Sequence, residues 1–285
     1  MRPVVEHSSP TLRRRELGSR LRELRIQAGL TVEQACEVLE CSPAKISRIE
    51  TGGRGVSLRD VRDLSAAYNV DAVEREHLLA LVKESKQQTW WQDLDVPYKP
   101  FIGLETAASS IRDYESGLVP GLLQTQDYAR ALITGMVPRL APDMVQAALD
   151  ARLTRQQILT REGPTRFHAV LDEAALRRVV GSPEVMCGQL AALAERAALP
   201  NVTVQVIPFE AGAHPGQDST FMILEFEEPA ASDVVYIEGL IGNVYLERTA
   251  DLERYTQVFD DLCHVALDPE RSIDLIGLIG THPER

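Results

Sequence analysis

Apolar residues recur at helical spacing through the first third of the chain. Leu17, Leu21 and Leu24 stand at i, i+4 and i+7, one face of an amphipathic helix. Gly29 ends it. Thr31 and Gln34 make an S/T-x-x-E/Q capping box, which opens a second helix burying Ala35 and Leu39. Ser42 caps a third helix, with Pro43 in the first turn, where a missing N–H costs nothing. Gly52 and Gly53 stop it. Ser57 with Asp60 opens a fourth helix, with Leu58, Val61 and Leu64 on one face, and Asp71 opens a fifth, with Leu78, Leu79 and Val82 as its apolar positions. The pattern predicts an all-α, five-helix domain over residues 16–83, preceded by an N-terminal arm at 1–15.

Residues 84–100, ESKQQTWWQDLDVPYKP, turn polar, then aromatic, then proline-bearing, and read as a linker. Trp90 and Trp91 fit a packing anchor or a hinge. Ile102–Tyr114 is predicted helical, and residues 119–163 mostly helical, broken at Pro120, Pro138 and Pro142. From Arg166 the periodicity changes. Phe167–Leu171, Val202–Val206, Thr220–Phe226 and Val234–Ile237 are short β-rich runs, with helices at Glu173–Val180, Glu184–Ala198 and Ala250–Ala266. The loop Glu210–Gln217, with two glycines, His214 and Pro215, reads as a hairpin connection. Residues 101–285 thus form a second, larger, mixed α/β domain, and the fold class is α+β.

Charge divides along the same boundary. The net charge is −12, yet residues 1–70 carry 12 Lys/Arg against 9 Asp/Glu. The remainder carries 18 against 33, and residues 201–285 alone carry 4 against 16. A basic head on an acidic body implies that the head alone meets a polyanion. Hydrophobic residues at 44% supply enough material for a core, which excludes a disordered chain. No apolar run reaches the ~18–20 residues of a membrane span, and MRPVVEHSSPTLRRRELG has no apolar signal region. A cytoplasmic protein without membrane attachment is expected. Cys36, Cys41, Cys187 and Cys263 form no C-x-x-C pair and read as small packed thiols, with no metal site and no cofactor.

Two short helices joined at Glu40 and Cys41, inside an all-helical unit, form the pattern of a helix-turn-helix. In the second helix, Ser42–Glu50, Ile46 and Ile49 share one face at 100° per residue. The opposite face carries Ala44, Ser47, Arg48 and Thr51, with Lys45 and Glu50 on the flanks. Small residues let a helix enter a groove, and an arginine there bonds guanine O6 and N7 bidentately. The hydroxyls of Ser42, Ser47 and Thr51 reach base edges or phosphate. Lys45 and Arg54 suit the backbone, where charge positions without specifying. Thr31, heading the preceding helix, completes the DNA-facing set.

The fragments AGLT, SPAKISRIETG and SLRDVRDL, within Leu17–Val70, resemble the xenobiotic-response-element, phage-repressor-like helix-turn-helix family. The resemblance implies a five-helix DNA-binding domain working as a homodimer on a palindromic double-stranded operator. Two positions depart from it. Val32 stands where the family has a DNA-contacting Gln, and Val32 cannot make that contact. Glu40 stands where the family has Gly, and an αL conformation there would cost roughly 1 kcal/mol.

The segments TWWQDL, YESGLVPGLLQTQDYARALI, LDEAALRRVVG, PNVTVQVIPFEAGAHPG and FMILEF resemble a narrower group, the actinobacterial WhiJ-like, antitoxin-like regulators. That implies transcriptional control through a C-terminal regulatory domain and a small protein partner, commonly encoded nearby. Read from the residues, Val119–Leu123 with Gln124, Gln126 and Tyr128 is either a pocket lining or a helix start. His168, Asp172, Glu173 and His214 are the residue types an enzyme would use, but no H-E-x-x-H, G-x-S-x-G or phosphate-cradling glycine loop accompanies them. The expectation is a non-enzymatic, DNA-binding transcription regulator. The alternatives are an interaction adaptor with little DNA binding and a metal-dependent enzyme domain fused to a DNA-binding head.

Overall fold

The computed structural model describes residues 9–87, 89–91, 99–227, 232–240 and 242–281. The first eight residues of the arm, and 92–98 of the linker, lie outside the described residues. The chain forms two compact units, one ending at Ala107 and one beginning at Ala108.

The first unit is helical: α1 (Pro10–Gln27), α2 (Val32–Leu39), α3 (Pro43–Glu50), α4 (Leu58–Ala67), α5 (Ala72–Glu84) and α6 (Lys99–Ala107). The capping signals act as read. Thr31 accepts from Gln34 N while the Gln34 side chain accepts from Thr31 N, and Ser57 and Asp71 each accept from the N–H three residues on. Ser42 is the exception: it has the extended backbone of a cap, but its hydroxyl makes no capping bond. Leu17, Leu21, Ile46, Ile49, Val61, Leu64, Leu78 and Val82 form one core. Gly18 lies where α1 crosses α3, and a Cβ there would collide with the Ile49 carbonyl oxygen. Helix α6 belongs to this unit, packing on α1, with Ser9 Oγ donating to Gly103 O at 3.3 Å.

The second unit holds β1 (Ser110–Glu115), β2 (Arg166–Asp172), β3 (Val202–Ile207), β4 (Phe221–Glu225), β5 (Val234–Ile237) and β6 (Val244–Leu246). They form one six-stranded sheet of order β3-β2-β1-β4-β5-β6. Strands β1, β2 and β3 are mutually parallel; β4, β5 and β6 continue antiparallel. The β1→β2 crossover runs through α7 (Gln126–Met136) and α8 (Pro142–Arg155), and β2→β3 through α9 (Glu173–Arg177) and α10 (Pro183–Ala197). Helices α11 (Thr249–Val265) and α12 (Pro269–Thr281) follow the sheet. Phe259 and Leu262 of α11 are fully buried against Tyr114, Val170, Ile207, Phe221, Ile223 and Val235. Each such side chain contributes about 1.5–3 kcal/mol by burial. At the β3 edge, Leu267 N donates to Val206 O at 2.8 Å and Val206 N donates to Ser272 Oγ at 3.0 Å. The segment entering α12 thus occupies backbone groups that another strand would use.

The structure corrects several sequence expectations. Ile102–Tyr114 is not one helix: α6 ends at Ala107, and Ser110–Glu115 is a strand in the middle of the sheet. Its polar letters, Arg112 and Asp113, hid a strand buried on both faces, because Asp113 is as inaccessible as Tyr114. Strand β6 and helix α12 add to the elements that the pattern predicts. The loop 210–217 is not a hairpin connection either, because β3 and β4 are not neighbours. It crosses the carboxyl ends of β2 and β1, where His214 meets Asp172 at 3.2 Å and Gly216 rests on the Tyr114 ring.

Candidate nucleic-acid interface

Helix α3 is the recognition helix of the pattern, and its orientation is set from beneath. Ile46 and Ile49 are 1% and 2% exposed. Glu50 follows them on the same stripe, four residues after Ile46. Its carboxylate accepts from Arg25 Nε at 2.6 Å and Nη2 at 2.9 Å. Arg25 Nη1 also donates to Leu30 O at 2.9 Å. Two parallel charge-assisted bonds of this kind fix geometry as well as supply energy. Glu50 therefore sits inward rather than on the flank the spacing suggested. Tyr68, buried near this pair, has its phenol pushed up to about 12, first by burial and then by the charge of Glu50.

With that face fixed, Ser42, Ala44, Ser47, Arg48 and Thr51 are all exposed. Arg48 Nε donates back to Ala44 O at 3.2 Å, holding the side chain along its own helix. Thr51 Oγ1 donates to Ser47 O at 2.9 Å, so its oxygen remains an acceptor. Arg54 is exposed, and its N–H donates to Arg48 O at 2.9 Å, tying the following loop to the end of α3. Lys45, expected at the DNA backbone, is half-buried, with Nζ 3.5 Å from Asp60 Oδ2. Its charge is partly matched within the domain. Thr31 is exposed, with its hydroxyl engaged in the capping box.

Val32 and Glu40, the two positions that depart from the resemblance, each have a visible consequence. Val32 packs half-buried against the core of the unit. Glu40 adopts αL geometry, φ 47° and ψ 52°. Its lack of a glycine costs on the order of 1 kcal/mol. The turn nevertheless closes, with Cys41 N donating to Cys36 O at 3.0 Å.

The second unit brings some of the enzyme-type residues together and separates others. Asp172 caps α9, one carboxylate oxygen accepting from Ala174 N and the other facing His214 Nε2. His214 Nδ1 accepts from Gly216 N at 3.3 Å, so the proton sits on Nε2 and is donated to Asp172. Glu173 accepts from Arg177 Nε and from Phe209 N. His168 stands apart, on Gln205 at 2.9 Å, and burial lowers its pKa. Each of these groups bonds a neighbouring helix, strand or loop. Among the described residues no cluster of three His, Cys, Asp or Glu is placed to hold a metal ion. Gln124 and Tyr128 are buried and both bond Val119, while Gln126 is exposed, so that stretch is a helix start with two of its three polar groups turned inward. Trp91 is buried and Trp90 is 40% exposed, their rings edge to face at 5.8 Å.

No described helix is long and apolar enough to cross a membrane. A family model described as a helix-turn-helix domain matches residues 16–78. A second, a domain of unknown function designated DUF5753, matches residues 98–277. Among curated proteins and among solved structures, none matches the chain. The head is thus a helix-turn-helix domain, the architecture of DNA-binding regulators. By a match covering more than half its length, the chain belongs to the DUF5753 family.

Proposed function

We propose that the protein is a sequence-specific, DNA-binding transcription regulator, and not an enzyme. The observation that carries this is the outward face of α3: Ser42, Ala44, Ser47, Arg48 and Thr51 are exposed over a helix locked by Ile46, Ile49 and the Arg25–Glu50 pair. A small-residue surface around one long bidentate donor suits major-groove entry. Arg54 and Thr31 would meet the phosphate backbone beside it. Sequencing of genomic fragments retained by the full-length chain tests the reading. Enrichment of a common motif is expected. Retention without any sequence preference would reduce it to non-specific binding, and no retention would favour the adaptor.

One α3 reads only a few base pairs, so a homodimer on two half-sites about one helical turn apart follows from the same reading. Light scattering of the full-length chain with and without operator checks it, and a monomer in both would refute it. The acidic second unit is assigned the regulatory role of a WhiJ-like, antitoxin-like protein, receiving a small protein partner in the cytoplasm. Coupling between partner and operator would then be reciprocal, typically about 1–3 kcal/mol. Calorimetry of the protein encoded beside it, with and without operator, would read that coupling directly, and equal affinities would remove this part of the proposal.

A further inference from the structure

In the first unit, a groove of about 480 Å³ lies between α1, the segment leading into α4, and the end of α5. That is within the ~300–1,000 Å³ of small-ligand pockets. Arg14, Gly55, Val56, Ser57, Ser85 and Lys86 line it. Two of the six are cations and none is an acid. Of the other arginines on α1, Arg22 is exposed without a carboxylate among the described residues, whereas Arg13 is on Glu16 and Glu84, Arg20 on Glu23 and Glu74, and Arg25 on Glu50.

Arg14 has none among the described residues. Its Nε is inaccessible and without a hydrogen-bond partner. Burial, with no compensating anion, lowers its pKa. Among the described residues no hydrogen bond engages its two terminal nitrogens either, and these are the atoms an anion in the groove would meet. Ser57 Oγ accepts from Asp60 N at 3.0 Å, which leaves its proton to donate. Ser85 Oγ donates to Val82 O and serves as wall. Lys86 is exposed at the mouth.

We propose that this groove binds a phosphate group, with Arg14 as the anchor, Ser57 as a neutral donor and Lys86 as the second cation. The phosphate is either one of the DNA backbone, flanking the bases met by α3, or that of a free small ligand. Only the first source rests on the DNA-binding reading.

The test uses the full-length chain and two probes. The first is inorganic phosphate, titrated against chloride at equal ionic strength and pH, with Tm as the readout. Phosphate stabilises proteins generally, so the decisive quantity is the difference between variants. Arg14→Gln and Lys86→Gln should lose part of the rise in Tm that wild type shows. Arg271→Gln, an exposed position on α12, should keep it. The second probe is a short mixed-sequence duplex, with affinity measured across a salt series. A backbone phosphate in the groove makes Arg14→Gln lower the log–log salt slope by about one unit on any sequence. A loss in both arms assigns the groove to DNA. A loss in the phosphate arm alone assigns it to a free ligand, and that arm still decides the groove if wild type binds no duplex. Loss in the duplex arm alone supports a phosphate held only within a polymer. Arg14→Gln matching wild type in both arms overturns the proposal.

Discussion

Arg25 holds Glu50 through two hydrogen bonds of 2.6 and 2.9 Å, although 25 residues separate them in sequence. Their side chains are only 10% and 7% exposed, so neither charge is well solvated alone. Removing one partner of a buried pair typically costs about 3–5 kcal/mol, because the other charge is left uncompensated. Glu50→Gln is expected near the lower end of that range and Glu50→Ala near the upper, in urea unfolding of the full-length chain. Arg25→Met with Glu50→Leu should cost less than Glu50→Ala alone. A double variant worse than the sum of its singles would show that the pair is not the unit that matters.

The crossing of α1 and α3 depends on Gly18, whose absent side chain lets the Ile49 carbonyl approach. Backbone, not a flexible side-chain tip, stands in the way. Gly18→Ala must therefore push the helices apart, at roughly 1–3 kcal/mol. Ser19→Ala, on the exposed side of α1, should change stability by less than about 0.5 kcal/mol. Thermal melting of the two variants side by side makes the comparison.

For DNA, Arg48→Ala should weaken operator binding by roughly 1–3 kcal/mol and relax one base position. Arg54→Ala should instead weaken all sequences alike and reduce the salt slope by about one unit. Lys45→Ala should do less than Arg54→Ala, because Lys45 already faces Asp60. Competition binding with single-base operator variants separates these outcomes. An Arg48→Ala protein with unchanged base preference would mean that α3 does not read bases through it.

Glu115, at the carboxyl end of β1, has its pKa pushed up to about 8 by burial and then by the charge of Glu238. The folded state thus holds a proton that the unfolded chain releases near 4.5. Between those values folding binds protons, so stability falls as pH rises through that window. Glu115→Gln keeps the neutral form at every pH. It should match wild type near pH 5 and melt higher than wild type near pH 8. Parallel melting curves at the two pH values check the sign, and a deficit at pH 8 would contradict it.

The helical head was legible because its signals are local. Thr31 with Gln34, Ser57 with Asp60, and the Ile46–Ile49 stripe lie within a turn or two, and each appears in the structure where the spacing puts it. Glu50 carries a signal of the same local kind, since it extends the 46–49 stripe that faces inward. The second unit was less legible because its decisive pairings are remote. β1 pairs with β2 and β4, which bring Ser110 beside Arg166 and Glu225. Nothing within SIRDYE announces a central strand, since its polar residues are buried only after those partners arrive. Arg14 and Lys86 escaped for the same reason: 72 positions apart, they share a groove only once α1 and α5 have packed.

The covering of β3 has a consequence for biosynthesis. Every strand of the sheet lies before residue 247, whereas Leu267 and Ser272, which occupy the Val206 backbone, are made later. During translation, and in any chain cut between Leu246 and Leu267, the sheet would exist with an uncovered outer strand of sequence VTVQVI. Such a segment, β-branched and without charge, is a template for intermolecular pairing. Residues 267–272 therefore shield that pairing edge at Val206, and a chain lacking them is expected to aggregate more readily.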